Sequence, residues 1–354
     1  MRLPATQRLR GALLVIAASI LVGACGQRDP VSRGKISAFD TTMEITLIGV
    51  NRQRAVEIAS MLESDMQMME SAWHAWKPGP VARMNTLFNE SNSPFPAPPS
   101  VLPLLRISKT LSEQSEDLFN PAIGHLFRAW GFQGRPAGCL RPPPADLIDE
   151  VVRAKPSMRD IEIEGFRISS SNQTVKLDFR DIQKGFAIDR AISRLQEMKI
   201  SNASISTEGN LRAIGSRDGH PWSVPVRGPG GSGVLATLQI RGNEAAFTAA
   251  AYKHSFSWEG KRYHDIIDPR TGYPAEGASS VTVLHPNATT ADAAATALFV
   301  AGRDNWVETA RTMQVELVML IDTDGVIHMN PAMRSRIQFE PGVTAEISLS
   351  EPLS

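Results

Sequence analysis

Hydrophobic residues recur along this chain with two different periods. Where apolar and polar side chains alternate the pattern predicts strands, and where apolar residues recur every three to four positions it predicts amphipathic helices. The first pattern predicts strands at Ile36–Val50, Ala203–Ile214, Trp222–Arg227, Val234–Ile240, Ala245–Ser257 and Ser280–Val283, and hairpins at Asp160–Asp178 (turning at Ser170–Asn172) and Glu316–Met329 (turning at Asp322–Gly325). The second predicts helices at Arg54–Ser71, Val101–Ser115, Ala145–Ala154, Ala187–Met198, Thr289–Gly302 and Arg303–Met313.

Strands in runs, with helices inserted between them, favour an α+β fold of antiparallel sheets with packed helices over a doubly wound parallel sheet. The segment Gly228–Gly233 has the glycine spacing of a dinucleotide-binding loop. A strand-like run follows it instead of the helix whose N-terminus would bind the phosphates, so we interpret it as a hairpin loop.

Composition narrows the class of protein. The 354 residues are 42% hydrophobic and 21% charged, which is typical of a globular chain with a sizeable core. Basic and acidic residues balance at 37 each, and no basic stripe with interleaved aromatic residues is present, so we expect no nucleic-acid partner.

The N-terminus has the features of a secretion signal. Arginines precede an apolar stretch at Gly11–Val22, which is too short to span a membrane comfortably. The small residues before Cys25 resemble a bacterial lipoprotein cleavage site, and a plain signal peptide with an incidental cysteine is the alternative. We therefore expect a signal peptide at residues 1–24, lipidation at Cys25, a tether at 25–35, and lipid anchoring to a bacterial membrane on its periplasmic or outer side. Lipidation would leave Cys139 without an intrachain disulfide partner.

Candidate chemistry concentrates in Tyr263–Gly302. A polar loop containing Asp265, Asp268 and Arg270 leads into a strand and then into a helix for which we predict Thr290 as the N-cap. Asp292 and Thr296 are four residues apart, so they share one face of that helix. Their oxygen atoms suit a hard cation such as Mg²⁺. The helix dipole alone also favours an early Asp, and a helical Thr often bonds its own backbone, so two residues leave both explanations open.

Several segments in order, DFRDIQKGFAIDRAI, ASISTEGNLRAIG, YHDIIDPRTGYP and ADAAATALFVAG, resemble the FAD:protein FMN transferases of the ApbE family. Earlier blocks, FDTTMEITL, WKPGPVARMN and FNPAIGHLFRAWGF, are also similar. The resemblance implies a T-fold-like flavin transferase domain over residues 36–340, followed by a tail at 341–354. It implies a Mg²⁺-dependent enzyme that moves FMN from FAD to a Ser or Thr hydroxyl of an acceptor flavoprotein and releases AMP.

Position by position, the resemblance implies metal ligands at Asp181, Asp292 and Thr296. It implies flavin contacts at Phe39, Trp76, Leu118, Phe119, Asn120, Asp178, Lys184 and Ile267. Ordinary core packing is the alternative for Trp76 and Phe119, and a solvated charge is the alternative for Lys184.

The chain departs from the family pattern near the site. Where the family carries a histidine before Ile-Ile-Asp-Pro, this chain has Asp265, with His264 one residue earlier, so both are candidates for the general base. Glycine-containing loops of the family appear here as Ser206–Asn210 and Thr248–Tyr252. These changes keep two alternatives open, a weakly active or inactive FAD-binding protein and an FAD pyrophosphatase.

Overall fold

The computed structural model describes residues 29–132 and 140–353. The signal segment, Cys25 and Cys139 lie outside these ranges, so the predictions made for them stay predictions. No helix within the described ranges combines the length and the apolar character needed to cross a membrane.

Seventeen strands and eight helices are found in the described residues. The strands are β1 (Val31–Ala38), β2 (Thr41–Ile48), β3 (Phe95–Pro96), β4 (Ile161–Glu164), β5 (Arg167–Ser170), β6 (Ala203–Thr207), β7 (Asn210–Ile214), β8 (Trp222–Arg227), β9 (Val234–Ile240), β10 (Glu244–Ala250), β11 (Ser255–Trp258), β12 (Lys261–His264), β13 (Ala278–His285), β14 (Leu317–Asp322), β15 (Ile327–Met329), β16 (Ile337–Phe339) and β17 (Ile347–Leu349). The helices are α1 (Arg52–Trp73), α2 (Pro80–Glu90), α3 (Leu102–Gln114), α4 (Gly124–Trp130), α5 (Ala145–Ala154), α6 (Gln183–Glu197), α7 (Ala288–Thr312) and α8 (Pro331–Arg334).

A nine-stranded sheet organises the fold, in the order β1-β2-β6-β7-β10-β13-β14-β15-β17. All neighbours are antiparallel except β15 and β17, which run parallel. Smaller sheets, β16-β9-β8, β3-β5-β4 and β11-β12, complete it. The predicted α+β architecture of antiparallel sheets with packed helices is confirmed.

Two apolar clusters cover the two faces of the large sheet. Alternation along β14 shows the division: Val318 and Leu320 face the helices, whereas Met319 and Ile321 face the sheet β16-β9-β8. The period of two in a strand makes this separation. Helix α7 packs against β10, β13 and α6, so its N-terminal turns lie over the middle of the sheet.

The strand predicted over Ile36–Val50 is a hairpin instead. Phe39 and Asp40 form its turn, with φ angles of 56° and 54°. Residues other than glycine rarely adopt this left-handed region, so the sequence carried little signal for a turn here. β1 begins at Val31, within the segment predicted as a tether, and pairs with β2.

Three further boundaries differ from prediction. The Ala203–Ile214 segment turns at Glu208 and Gly209, which gives β6 and β7, and the β4–β5 hairpin turns at Gly165 and Phe166, before the predicted Ser170–Asn172. The run predicted as a strand over Ala245–Ser257 divides into β10 and β11. The tail also adds a strand, β17, to the large sheet.

Helix α7 begins at Ala288, so the predicted cap at Thr290 is wrong. The carboxylate of Asp189, on α6, caps it from outside: it accepts hydrogen bonds from the backbone N–H groups of Ala288 at 3.0 Å and Thr289 at 2.8 Å. Arg212 donates to the same carboxylate at 3.0 Å. Gly302 interrupts the helix with φ 69° and ψ −179°, where the sequence predicted its end.

Candidate active site

A cavity of about 950 Å³ opens where several chain segments meet above the large sheet. Its wall is built by the β1–β2 turn, the α1–α2 connection, the segment leading into α6, the β6–β7 turn, the ends of β10 and β12, and the first turns of α7. Eight of the predicted site residues line it: Phe39, Trp76, Asp178, Asp181, Lys184, Asp265, Asp292 and Thr296.

Oxygen ligands meet at the start of α7. Asp292 and Thr296 line the cavity from one helix face, and Asp181 lines it from the segment before α6. The two helices approach closely because Gly185 has no side chain: a Cβ there would lie 2.5 Å from the Ala288 carbonyl oxygen. The Gly185 N–H donates to Asp292 Oδ2 at 3.0 Å, which fixes the carboxylate.

Thr296 does not follow the usual behaviour of a helical threonine. Further along the same helix, the Thr309 hydroxyl donates to the Asn305 carbonyl oxygen at 3.1 Å. The Thr296 hydroxyl makes no hydrogen bond with any residue that the structure describes, and it is available to the cavity. Backbone bonding, the alternative explanation for this residue, therefore does not account for it.

Negative charge at this end of the cavity is poorly compensated. Burial raises the pKa of Asp181 to about 8, with Asp265, Asp178 and Asp292 adding to the shift and Arg180 opposing it. Burial also raises the pKa of Asp292 to about 6, while Lys184 and the Gly185 N–H work against the rise. Carboxylates in such surroundings favour a bound proton or a bound cation.

No group of three or more His, Cys, Asp or Glu side chains within residues 29–132 and 140–353 has the arrangement of a metal centre. The site pairs only two carboxylates with a hydroxyl. Mg²⁺ is commonly held by one or two carboxylates, with water and ligand oxygens completing its shell, so this donor set fits that ion better than Zn²⁺.

An aromatic wall lies elsewhere in the same cavity. The Trp76 indole N–H donates to Asp178 Oδ2 at 2.9 Å, and Arg180 binds the same carboxylate oxygen at 2.9 Å. These bonds hold the pKa of Asp178 below its usual value although burial acts in the opposite direction. Phe39 packs on Trp73 with ring centroids 6.1 Å apart. The hydrogen bond to Asp178 therefore fixes the orientation of the Trp76 indole, as a flat ligand stacked on it would require.

Two lysines line the cavity in different charge environments. Lys184 forms an ion pair with Glu208 at 3.2 Å, so it is neither isolated nor simply solvated. Lys253 donates to the Thr248 carbonyl oxygen, and burial together with Lys184 lowers its pKa to about 8. Sequence reasoning did not single out Lys253, His254 or Arg180, although all three line the cavity. Lys253 and His254 lie between β10 and β11, inside the run predicted as one strand over Ala245–Ser257, so the pattern did not set them apart.

The two candidates for the general base are placed differently. Asp265 lines the cavity at the end of β12. His264 is 8% exposed, packs edge-on against Phe299, and its Nε2 lies 3.0 Å from the Ala275 carbonyl oxygen. Neighbouring residues of a strand point to opposite faces, so the side chain of His264 does not reach the cavity, and its assignment as a base is not supported.

Four predicted flavin contacts do not line the cavity: Leu118, Phe119, Asn120 and Ile267. Phe119 and Ile267 are buried in apolar clusters, and Leu118 packs against the core. The Asn120 amide donates to the Pro156 carbonyl oxygen at 2.9 Å and accepts from the Ala122 N–H at 3.0 Å. These four side chains therefore pack in the core or bond to the backbone instead of lining the cavity.

The loop after β12 also has a structural role. Asp268 accepts two hydrogen bonds from Arg270 Nε and one from its Nη2, the shortest at 2.7 Å. Arg270 donates to the Val300 carbonyl oxygen on α7 as well. Asp268 and Arg270 therefore neutralise each other outside the cavity wall and tie this loop to α7.

Comparison with known proteins places this cavity in a family. A model of the ApbE family matches residues 39–319. A curated relative from Rhodobacter capsulatus, called FAD:protein FMN transferase, is 36% identical over 316 residues, covering 88% of this chain and 59% of the relative's length. The chain thus spans less than two thirds of that relative.

Solved structures agree. The ApbE protein of Thermotoga maritima is 28% identical with a TM-score of 0.77, covering 87% of this chain and 99% of its own. The flavinyl transferase ApbE of Pseudomonas stutzeri is 25% identical with a TM-score of 0.75, and the match covers 89% of this chain and 99% of the Pseudomonas stutzeri chain. The family model, at residues 39–319, covers most of the chain and includes every residue that lines the cavity. This chain belongs to the ApbE family.

Proposed function

We propose that this chain transfers FMN from FAD to a Ser or Thr hydroxyl of an acceptor flavoprotein, releases AMP, and requires Mg²⁺. One observation carries the proposal: oxygen ligands for a cation and a fixed indole line the same cavity of about 950 Å³. A dinucleotide with a flat ring and a pyrophosphate needs both features in one continuous space. The curated relative named FAD:protein FMN transferase supports the same activity.

The flavin end of the site is assigned to Trp76 and Asp178. The indole offers a flat surface to the isoalloxazine ring, and its hydrogen bond to Asp178 holds it in place. Asp178 remains charged because Arg180 and the indole N–H stabilise the anion. Phe39 closes the neighbouring part of the wall from the β1–β2 turn.

The phosphate end is assigned to Asp181, Asp292, Thr296 and Lys184. The three oxygen-bearing side chains would hold Mg²⁺, which when bound neutralises phosphate charge and so favours phosphoryl transfer. Lys184 supplies a fixed positive charge on the same wall, oriented by Glu208. The acceptor hydroxyl would approach from the side of Asp265, where the phosphorus bond to AMP is exchanged for a bond to the acceptor oxygen.

The direct test uses purified protein, FAD, Mg²⁺ and an acceptor domain that carries the target threonine. The expected product is a covalent fluorescent adduct that survives denaturation. Asp292→Ala should abolish it, because the variant loses the oxygen ligand that Gly185 holds in place. AMP without an adduct would indicate an FAD pyrophosphatase, and tight FAD binding without AMP would indicate a binding protein.

We also propose that Cys25 carries lipid and anchors the enzyme to a bacterial membrane, facing the periplasm or the exterior. The small residues before Cys25 and the short apolar stretch of the signal segment support this. Expression of the full chain and of Cys25→Ser tests it, with mass spectrometry of the mature N-terminus as the readout. A lipid-modified wild type and an unmodified variant are expected, and an unmodified wild type would contradict the proposal.

A further inference from the structure

His254 and Asp265 face each other across two neighbouring strands at the cavity. Ser255 on β11 pairs with His264 on β12, so the next pair outward is His254 and Asp265. The Asp265 N–H donates to the His254 carbonyl oxygen at 3.1 Å, which confirms this register. Opposed residues of an antiparallel pair point to one face, with Cβ atoms about 4.5–5.5 Å apart. Both residues line the cavity.

The other histidine of the cavity wall is already engaged. His74 Nδ1 lies 3.0 Å from the backbone N–H groups of Trp76 and Lys77 and accepts from both. A neutral imidazole that accepts at Nδ1 carries its proton on Nε2, so His74 presents a donor to its surroundings. His254, by contrast, is exposed, and its ring makes no hydrogen bond within the described part of the chain. Its ring nitrogens are therefore not engaged by the described residues.

Two carboxylates from other parts of the chain face His254. Asp265 faces it from β12, and Glu208 faces it from the β6–β7 turn. Burial alone would raise the pKa of Glu208, but Lys184, and then His254 and Lys253, lower it below its usual value. Lys253, the residue before His254 in the segment between β10 and β11, is a neighbouring cation, and it donates to the Thr248 carbonyl oxygen.

We propose that His254 is the general base of the transfer and that Asp265 is its positioning residue. This inference rests on the proposed function. The acceptor hydroxyl proton moves to a ring nitrogen of His254 while the hydroxyl oxygen forms a bond to the FMN phosphorus. The bond from that phosphorus to the bridging oxygen breaks, and AMP leaves with the electron pair. The imidazolium then returns its proton to solvent.

General chemistry favours the imidazole over the carboxylate for this step. A free imidazole has a pKa of about 6.5, whereas that of a free aspartate is about 3.9. A general base works best when its pKa lies near the working pH. A carboxylate beside the imidazole orients the ring and stabilises the imidazolium.

The test measures single-turnover attachment of flavin to an acceptor domain, with the full chain saturated with FAD and Mg²⁺. His254→Gln should lower the rate by about 10²–10⁴-fold, the usual contribution of a general base. The dissociation constant for FAD should stay unchanged. Added imidazole should restore part of the rate of His254→Ala, which a purely structural role would not allow. His220→Gln, at an exposed histidine outside the cavity wall, is the matched control.

Asp265→Asn should reduce the rate less than His254→Gln and should alter its pH profile. The double variant should be no slower than His254→Gln alone, since the carboxylate acts through the ring. An unchanged rate in His254→Gln, with an active wild type, would overturn the inference and leave the proposed function standing. An inactive wild type would instead refute the proposed function, and the inference with it.

Discussion

The Gly185 N–H donates to Asp292 Oδ2 at 3.0 Å, and this bond joins the first turn of α6 to the candidate metal site on α7. A Cβ at position 185 would lie 2.5 Å from the Ala288 carbonyl oxygen and 2.9 Å from Asp292 Cβ. The missing side chain of Gly185 therefore allows α6 and α7 to approach each other, and its N–H orients the Asp292 carboxylate.

Gly185→Ala tests that dependence. The added methyl group must push α6 and α7 apart, so we expect a loss of about 1–3 kcal/mol in the free energy of unfolding. Transfer activity should fall further than stability explains, because Asp292 loses its hydrogen bond. Urea unfolding and the adduct assay measure the two effects. Asp292→Asn is the comparison, since it keeps an acceptor for the N–H while removing the charge. A stable and fully active Gly185→Ala would show that the close approach is unimportant.

Asp189→Asn addresses the cap of α7. The carboxylate accepts from two backbone N–H groups of that helix and from the Thr289 hydroxyl, and a neutral amide cannot reproduce this set. We expect a loss of about 1–3 kcal/mol in the free energy of unfolding, and weaker Mg²⁺ binding because the helix start loosens. Asp146→Asn, at an exposed aspartate in the first turn of α5, is the control and should change little. Equal effects of the two substitutions would refute the capping role.

Trp76→Ala tests the flavin wall. Loss of the indole should weaken FAD binding by about fivefold, which corresponds to the roughly 1 kcal/mol expected for contact between aromatic rings. Trp76→Phe retains a ring but not the bond to Asp178, so it should fall between the wild type and Trp76→Ala. Trp258→Ala removes an exposed tryptophan outside the cavity wall and serves as the control. Unchanged FAD affinity in Trp76→Ala would place the flavin elsewhere.

Asp181 gives the metal-free protein a pH-dependent stability. Its folded-state pKa is about 8, raised chiefly by burial, whereas an unfolded aspartate has a pKa of about 3.9. The folded state therefore binds more protons across this window, and stability should fall as the pH rises from about 4 to about 8. Asp181→Asn removes that titration.

The variant should thus gain stability relative to the wild type with increasing pH. Urea unfolding in the presence of a chelator, at about pH 5 and about pH 8, measures the difference. Asp218→Asn, at an exposed position, should show no such trend. The free energy of unfolding of Asp181→Asn should differ from that of the wild type by an amount that changes with pH. A constant difference would contradict the claim that the charged form of Asp181 is unfavourable.

Local periodicity accounts for what the sequence predicted well. The spacing of four residues placed Asp292 and Thr296 on one helix face, and α5, β8 and β9 have the predicted bounds. The Phe39–Asp40 turn could not be predicted in this way, because it places two ordinary residues in the left-handed region. The backbone N–H of Phe39 donates to Glu70 Oε2 at 2.8 Å, a contact supplied by α1.

The site features that the sequence did not predict depend on contacts between segments far apart in the chain. Asp189 caps a helix that begins about a hundred residues later, and Glu208 orients Lys184 from another turn. The pairing of His254 with Asp265 depends on the register of β11 and β12. The residues around Tyr252 carry no pattern that predicts this register. The sequence also could not distinguish Trp76, which lines the cavity, from Phe119, which is 2% exposed and packs in the core.

The most direct test of the central claim measures AMP and covalently bound flavin in one reaction containing the protein, FAD, Mg²⁺ and a threonine-bearing acceptor domain. A transferase releases one AMP for each flavin attached, and both products should disappear with Asp292→Ala, with a chelator, or with an acceptor whose threonine is replaced by valine. Equal amounts of the two products are the predicted result. AMP formed without attached flavin, or no AMP at all, would contradict the account.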